Sequence, residues 1–453
     1  MRPFSRGHSR PVLTSPPPEA QHEPKHAFCQ KEIKMPSDVM SPSKSTTRPR
    51  RLQRLELPGR ASSGQSARQA DIELLAKAPA NFLDTTHFDT VRFPPPPWAA
   101  EQFARAAADG ALAYTGYRGN PDVLKALARS IGKFLGRSLE PDQNIILTPG
   151  TQAGLFTSLA SLVEKGDRVA LIDPDYLFSS RILRFLGAEI GHVPLVFLPD
   201  GPTPDLDVLE LEFKQRNTRY LVFSHPNNPT GAVFSADVIG RIARLANAYD
   251  VTVLVDELYS RLLHDGRRFP HLAVEAGMFD RTVTLLGPSK TESLSGYRLG
   301  VVVAPAEIIA RIENVLSIMA LRAPAYAQHV LVPWLRDDHE WLAGRLKEFG
   351  ALRSMTVDKL RQLPWLKLEP QQGTAYVWPD VSALGLPAPM LAEALLSRAA
   401  VLVSPGYQFG PTAAGHFRLC YARDEDEWAS ALDRIVDVLG DLAGRQGLPE
   451  RAA

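Results

Sequence analysis

Cysteine is nearly missing from this chain. Its 453 residues hold two, Cys29 and Cys420, far apart in sequence. Two distant thiols exclude a disulfide framework and a cysteine-based zinc site. No apolar run reaches the roughly 18 residues that suggest a spanning helix. Charge of one sign is not in excess either, since the formal net charge is +1. The whole chain therefore gives no argument for nucleic acid or an anionic membrane as a partner. A Walker-type phosphate loop, G-x-G-x-x-G, H-E-x-x-H and G-x-S-x-G are all absent, which removes several common nucleotide, zinc and serine-hydrolase chemistries. What is present is near the globular average: 44% hydrophobic and 22% charged residues, enough to bury a core. Length alone suggests about two or three domains. The expectation is a soluble enzyme of a reducing, cytoplasmic compartment.

The charge is unevenly placed. Residues 1–70 carry 13 Lys and Arg against 5 Asp and Glu, whereas the remainder carries 38 against 45. That first segment is rich in Pro and Ser and lacks hydrophobic periodicity, so it is expected to be a disordered basic extension. A transit peptide is one functional reading, from Arg2, Arg6 and Arg10 ahead of Glu19. The prolines 3, 11 and 16–18 oppose the helix it would need. A nucleic-acid tail around Arg48–Arg54 and a true start at Met35 or Met40 are the other readings.

Further on, short β-branched runs alternate with helical stretches. Residues 144–147, 168–172, 219–223, 251–255 and 281–286 have the all-apolar character of parallel strands covered on both faces. Residues 151–166 and 235–250 have helical periodicity, the second with Ser235 as N-cap. The expected class is α/β, with a large, mostly parallel sheet domain and a smaller α+β domain. The boundaries are placed at 71–113 for the N-terminal part of the small domain and an arm, 114–345 for the large domain, and 346–453 for the C-terminal small domain.

Ligands of open α/β sheets sit beyond the carboxyl ends of the strands. There the sequence places SHPNNPTG (224–231), DELY (256–259) and GPSKTESLSGYRLG (287–300), with PGYQFG and HFRLCY further on. In content and order these motifs resemble the fold-type-I pyridoxal-phosphate enzymes of the class I/II aminotransferase group, over about residues 80–445. The resemblance implies pyridoxal 5′-phosphate as cofactor and Lys290 as its Schiff-base lysine and Cα general base. It implies Asp256 facing the ring nitrogen, and Asn228 and Tyr259 at the ring's phenolic oxygen. Tyr176 would stack on the ring. Arg298, Ser289 and the turn Gly150, Thr151, Gln152 would hold the phosphate, the turn through its amides at a helix start. Arg418 would grip the substrate α-carboxylate, with Asn228 beside it. Tyr114 would reach the phosphate of a neighbouring subunit, implying a homodimer with shared sites.

Two departures stand out. The residue three before the lysine, often Ser in the family, is Gly287, with Ser289 as a possible substitute. The segment 82–98 carries His87 near where a glycine is usual. Arg261 and Arg322 are candidates to contact a substrate side chain. The implied activity is amino-group transfer between an α-amino acid and a 2-oxo acid, in amino-acid metabolism and biosynthesis. A lyase, synthase or amino-acid oxidase on the same scaffold is the alternative. A DNA-binding regulator is the distant one, and residues 1–70 lack the helical periodicity it would need.

Overall fold

The computed structural model describes residues 50–55, 73–88, 93–110, 113–336, 338–369 and 371–451. In chain order its strands are β1 (Leu83–Asp84), β2 (Ile145–Pro149), β3 (Arg168–Asp173), β4 (Glu189–Leu198), β5 (Gly201–Pro204), β6 (Tyr220–Ser224), β7 (Thr252–Asp256), β8 (Thr282–Leu286), β9 (Leu299–Val303), β10 (Tyr376–Val377), β11 (Val401–Leu402), β12 (Ser404–Pro405) and β13 (Phe417–Cys420). Eight of them form one sheet in the order β2-β9-β8-β7-β6-β3-β4-β5. Strands β8, β7, β6, β3 and β4 run parallel, while β9 and β5 run against their neighbours. Because β2 pairs antiparallel with β9, it points the same way as the parallel set. The five runs read from the sequence all fall on sheet strands, and β4, β5 and β9 join them.

Helices cover both faces, as the apolar strands require. Leu155 and Leu159 of helix Thr151–Leu162 pack one face together with Ile309 and Ile312 of helix Ala306–Met319. Ile239, Ile242, Ala243 and Ala246 of helix Ala236–Ala248 pack the other, a spacing that puts all four on one helical stripe. Ser235 caps that helix, its side chain accepting from the Val238 N–H.

A second core lies in the C-terminal region. Helices His339–Leu360, Ala388–Ala399 and Glu425–Arg445 enclose β10–β13. Phe88 and Phe93 join it, packed edge-on against Phe349 at 5.3 and 4.8 Å. Parallel pairing of β1 with β11 adds a backbone tie between the N-terminal segment and this core.

Of the basic extension, residues Arg50–Gln53 form a helical turn, and Arg54 donates to the Arg184 carbonyl at 3.4 Å. The nucleic-acid reading around Arg48–Arg54 falls largely on this turn, whereas the transit-peptide reading, Met35, Met40 and Cys29 lie outside the described residues. Among the described residues no helix is long and apolar enough to cross a membrane.

Candidate active site

The strand polarity gathers the motifs at one end of the sheet. After β2 come Gly150, Thr151 and Gln152; after β3, Tyr176; after β6, Asn228; at the end of β7, Asp256 and then Tyr259; after β8, Ser289 and Lys290. Arg298 immediately precedes β9, which starts at that same end because it runs backwards. A cavity of about 410 Å³ opens there, lined by Thr151, Gln152, Tyr176, Asn228, Asp256, Tyr259, Ser289, Lys290, Arg298 and Arg418 among others. Gly150 stands behind this wall as the residue before helix Thr151–Leu162, at φ +84°.

Asp256 supplies the negative charge. Burial pushes its carboxyl up to about 6, against the Leu258 N–H that it accepts at 3.1 Å and the nearby Lys290. A cation brought to the cavity would draw it back down. Tyr176 donates its hydroxyl to Gln152 Oε1 at 2.9 Å, which fixes the ring at the cavity wall. Next to it, buried Asp175 accepts from Ser224 N–H at 2.9 Å and Asn227 Nδ2 at 3.1 Å. It therefore knots the loop after β3 to the loop that carries Asn228.

Positive charge collects opposite. The Arg298 backbone is left-handed, at φ +55°, and its guanidinium occupies the space beside Gly150. A Cβ on Gly150 would lie 2.2 Å from Arg298 Nη2. Gly300 is equally constrained, since a Cβ there would come within 2.5 Å of the Thr151 amide nitrogen. Two glycines thus keep open an anion cradle made from a helix start, hydroxyls and a guanidinium. Gly287 has no room for the family's usual serine, as its Cβ would meet Thr151 Oγ1 at 2.5 Å. Thr151 occupies that space, and the Ser289 residue lines the cavity.

Arg418 is buried between the rings of Tyr376 and Phe409, at 4.1 and 4.8 Å. It donates to Asn228 Oδ1 at 2.6 Å and to the Thr86 carbonyl at 2.5 Å, while its Nε finds no acceptor among the described residues. A buried cationic fork with a spare donor suits a carboxylate. Tyr259 shares a 2.8 Å hydrogen bond with the Tyr376 hydroxyl, and burial raises the Tyr259 phenol well above its ordinary value.

Pyridoxal phosphate fits these residues. An acid, an amine, an aromatic wall and an anion cradle converge on one cavity, and the glycines leave the cradle unfilled.

Some residues were not read from the sequence. Tyr376 and Thr86 line the cavity, yet each sits in an ordinary apolar or polar run with no motif around it. His87 lines the mouth, exposed, with Nδ1 3.3 Å from Asp84. Burial raises the Asp84 carboxyl, but hydrogen bonds from His87 and Thr86 outweigh it and hold the group at about 2. Arg261 is not at the cavity: it is buried against Glu292 and Asp338. Tyr114 is 81% exposed and lies away from the cavity lining. Arg322 sits against it, 4.6 Å from the Tyr114 ring and 4.7 Å from that of Tyr117.

Comparison with known proteins shows the family. The family model "Aminotransferase class I and II" matches residues 86–435. The aspartate aminotransferase of Pyrococcus horikoshii is 30% identical over 346 residues, 75% of this chain and 86% of its own. The arginine–pyruvate transaminase AruH of Pseudomonas aeruginosa is 30% identical, over 75% of this chain and 87% of its own. The crystal structure of an aspartate aminotransferase from Rhodobacter sphaeroides superposes with a TM-score of 0.77 at 36% identity, covering 80% of this chain and 95% of that one.

Proposed function

Since the chain belongs to the class I and II aminotransferase family, we propose that its 410 Å³ cavity is the active site and that Lys290, Asp256 and Arg418 divide the work there. The enzyme is a pyridoxal-phosphate-dependent aminotransferase, moving an amino group between an amino acid and a 2-oxo acid. When bound, the cofactor supplies the electron sink for breaking the Cα–H bond. Lys290 holds it and then moves the proton from Cα at its Nζ. Asp256 keeps a positive charge on the ring nitrogen. Asn228 and Tyr259 orient the ring oxygen, and Tyr176 covers a ring face. Gly150, Thr151, Gln152, Ser289 and Arg298 bind the phosphate. Arg418 fixes the α-carboxylate, with Asn228 holding its guanidinium in place.

The single observation that carries this reading is the convergence of six separated motifs on one cavity at the strand ends. Relatives are named for aspartate, aromatic amino acids and arginine with pyruvate, so the names select no one side chain. A homodimer is part of the proposal, supported by exposed apolar side chains: Tyr114, 81% exposed, lies against Arg322, and Ile318, 86% exposed, stands four residues before that arginine. The large domain is taken as 114–345, with 71–113 and 346–453 contributing the smaller one. A cytoplasmic location and a biosynthetic role are part of the proposal.

The test is a half-reaction in each direction. One amino acid alone should convert the bound cofactor to its amine form, and a 2-oxo acid should restore the starting spectrum. Borohydride should attach the cofactor to Lys290. Sustained release of ammonia from an amino acid without any oxo acid would instead support a lyase or oxidase.

A further inference from the structure

Arg261, Glu292 and Asp338 form a buried cluster that none of the steps above uses. Their side chains are 7%, 1% and 0% exposed. Arg261 binds Asp338 with both terminal nitrogens, Nη1 to Oδ2 at 2.8 Å and Nη2 to Oδ1 at 2.9 Å, and Nη1 also donates to Glu292 Oε1. Two carboxylates thus share one guanidinium away from water. Such an arrangement is costly to bury, and stability alone is weak grounds for it.

Its connections are specific. Arg261 follows Tyr259 in the turn after β7, which is closed on itself by Ser260 N–H to Glu257 O at 2.9 Å and Leu262 N–H to Tyr259 O at 2.8 Å. Glu292 lies two residues beyond Lys290, in a turn closed by Ser293 N–H to Lys290 O and Leu294 N–H to Pro288 O, both at 3.1 Å. The two turns leave neighbouring strands, whose last shared backbone bond is Glu257 N–H to Leu285 O at 2.9 Å. Past that bond the Arg261–Glu292 pair reaches from one turn to the other. Asp338 stands at the N-cap of helix His339–Leu360, yet its side chain caps nothing there. Forgoing a cap weakens the helix start, and here the carboxylate is committed to Arg261 instead.

We infer that Arg261 is a positioning residue: through Glu292 it sets the Lys290 turn against the turn carrying Tyr259, and through Asp338 it moors both to the helix that begins the second core. The inference rests on the reading of Lys290 as the cofactor lysine. Its function is geometric. An amine displaced by about 1 Å loses reactivity by orders of magnitude without loss of the binding groups around it.

Removing Arg261 would strand two buried carboxylates and could unfold the protein, so the test uses Glu292. Glu292→Ala deletes the strut, and Glu292→Gln keeps an acceptor for Arg261 Nη1. With saturating pyridoxal phosphate, borohydride capture at Lys290 is followed by peptide mass, beside kcat and KM. In Glu292→Ala, capture rate and kcat should fall about tenfold, while KM for the amino acid, held by Arg418, stays within about twofold. Glu292→Gln should recover most of both. If wild-type capture occurs at another lysine, the assignment of Lys290 fails. If capture occurs at Lys290 but Glu292→Ala leaves it unchanged, or Glu292→Gln is as impaired as Glu292→Ala, the positioning role is overturned.

Discussion

At the scale of single residues, charge placement dominates the site. Asp256 carries a cost of its own, since burial pushes its pKa up to about 6 and a cationic partner must offset that cost. In Asp256→Ala the turnover number should drop by about 10²–10³-fold, typical of losing one preorganised charge contact, with some cofactor still retained. Stopped-flow half-reactions read this directly. Gly287→Ser introduces the residue often found there in the family, but its Cβ would press on Thr151 Oγ1 at 2.5 Å. We expect weaker cofactor affinity, by about tenfold or more, rather than a gain; a titration by fluorescence quenching would measure it. Motif residues were legible from the sequence because each pairs a rare residue type with fixed neighbours. Tyr376 was not, since its role comes from a 2.8 Å contact with Tyr259, 117 positions away.

Secondary-structure elements follow the local pattern where burial is two-sided. The parallel strands are uniformly apolar and stood out, as in β8, buried at all five residues. By contrast, β4 alternates buried and partly exposed residues and contains Pro194, and β5 is two prolines, a glycine and a threonine. β5 is the edge strand and β4 its only neighbour in the sheet, and near that edge pairing geometry rather than hydrophobicity makes a strand. β9 was hidden behind the phosphate motif it directly follows. The loop after β6 adds a pH dependence. Burial holds His225 at about 3, with the Phe234 N–H donating to its Nε2 at 2.9 Å. His264, also buried, is held at about 4. Both stay neutral in the folded state and protonate near 6.5 when unfolded. Their contribution is therefore full above pH 6.5 and is lost as pH falls toward 4 and 3, at up to about 1.4 kcal/mol per pH unit for each group. Urea unfolding at a series of pH values should show this slope, and His225→Gln should flatten it while still accepting from Phe234. An unchanged slope in that variant would mean His225 is not the source.

For the molecule as a whole, the exposed surface around Tyr114, Tyr117, Ile318, Met319 and Leu321 is the place to perturb assembly. Ile318 is 86% exposed at the end of helix Ala306–Met319, so a charge there costs the monomer little. Ile318→Glu should weaken self-association by about tenfold or more and lower activity in parallel as protein is diluted. Sedimentation velocity paired with activity at matched concentrations would show both. Full activity in a monomeric variant would contradict shared sites. Sequence alone could suggest this surface only through family likeness, because a Tyr and an Ile separated by 204 positions carry no local signal of meeting a partner.

The antiparallel insertion of β9 between β2 and β8 has a kinetic consequence. Because β9 starts at the end of the sheet where β8 stops, the chain between them stays at that end, and Lys290 and Arg298 sit on one tether only eight residues long. With these residues in the roles proposed, phosphate capture by Arg298 presents the rest of the cofactor to Lys290 at an effective concentration set by this tether, of about millimolar or more. Linkage to Lys290 then becomes a first-order event, independent of free cofactor once the phosphate is held. The enzyme would therefore load in a fixed order, anchoring first and bonding second, and would keep its cofactor through each cycle in which the lysine lets go.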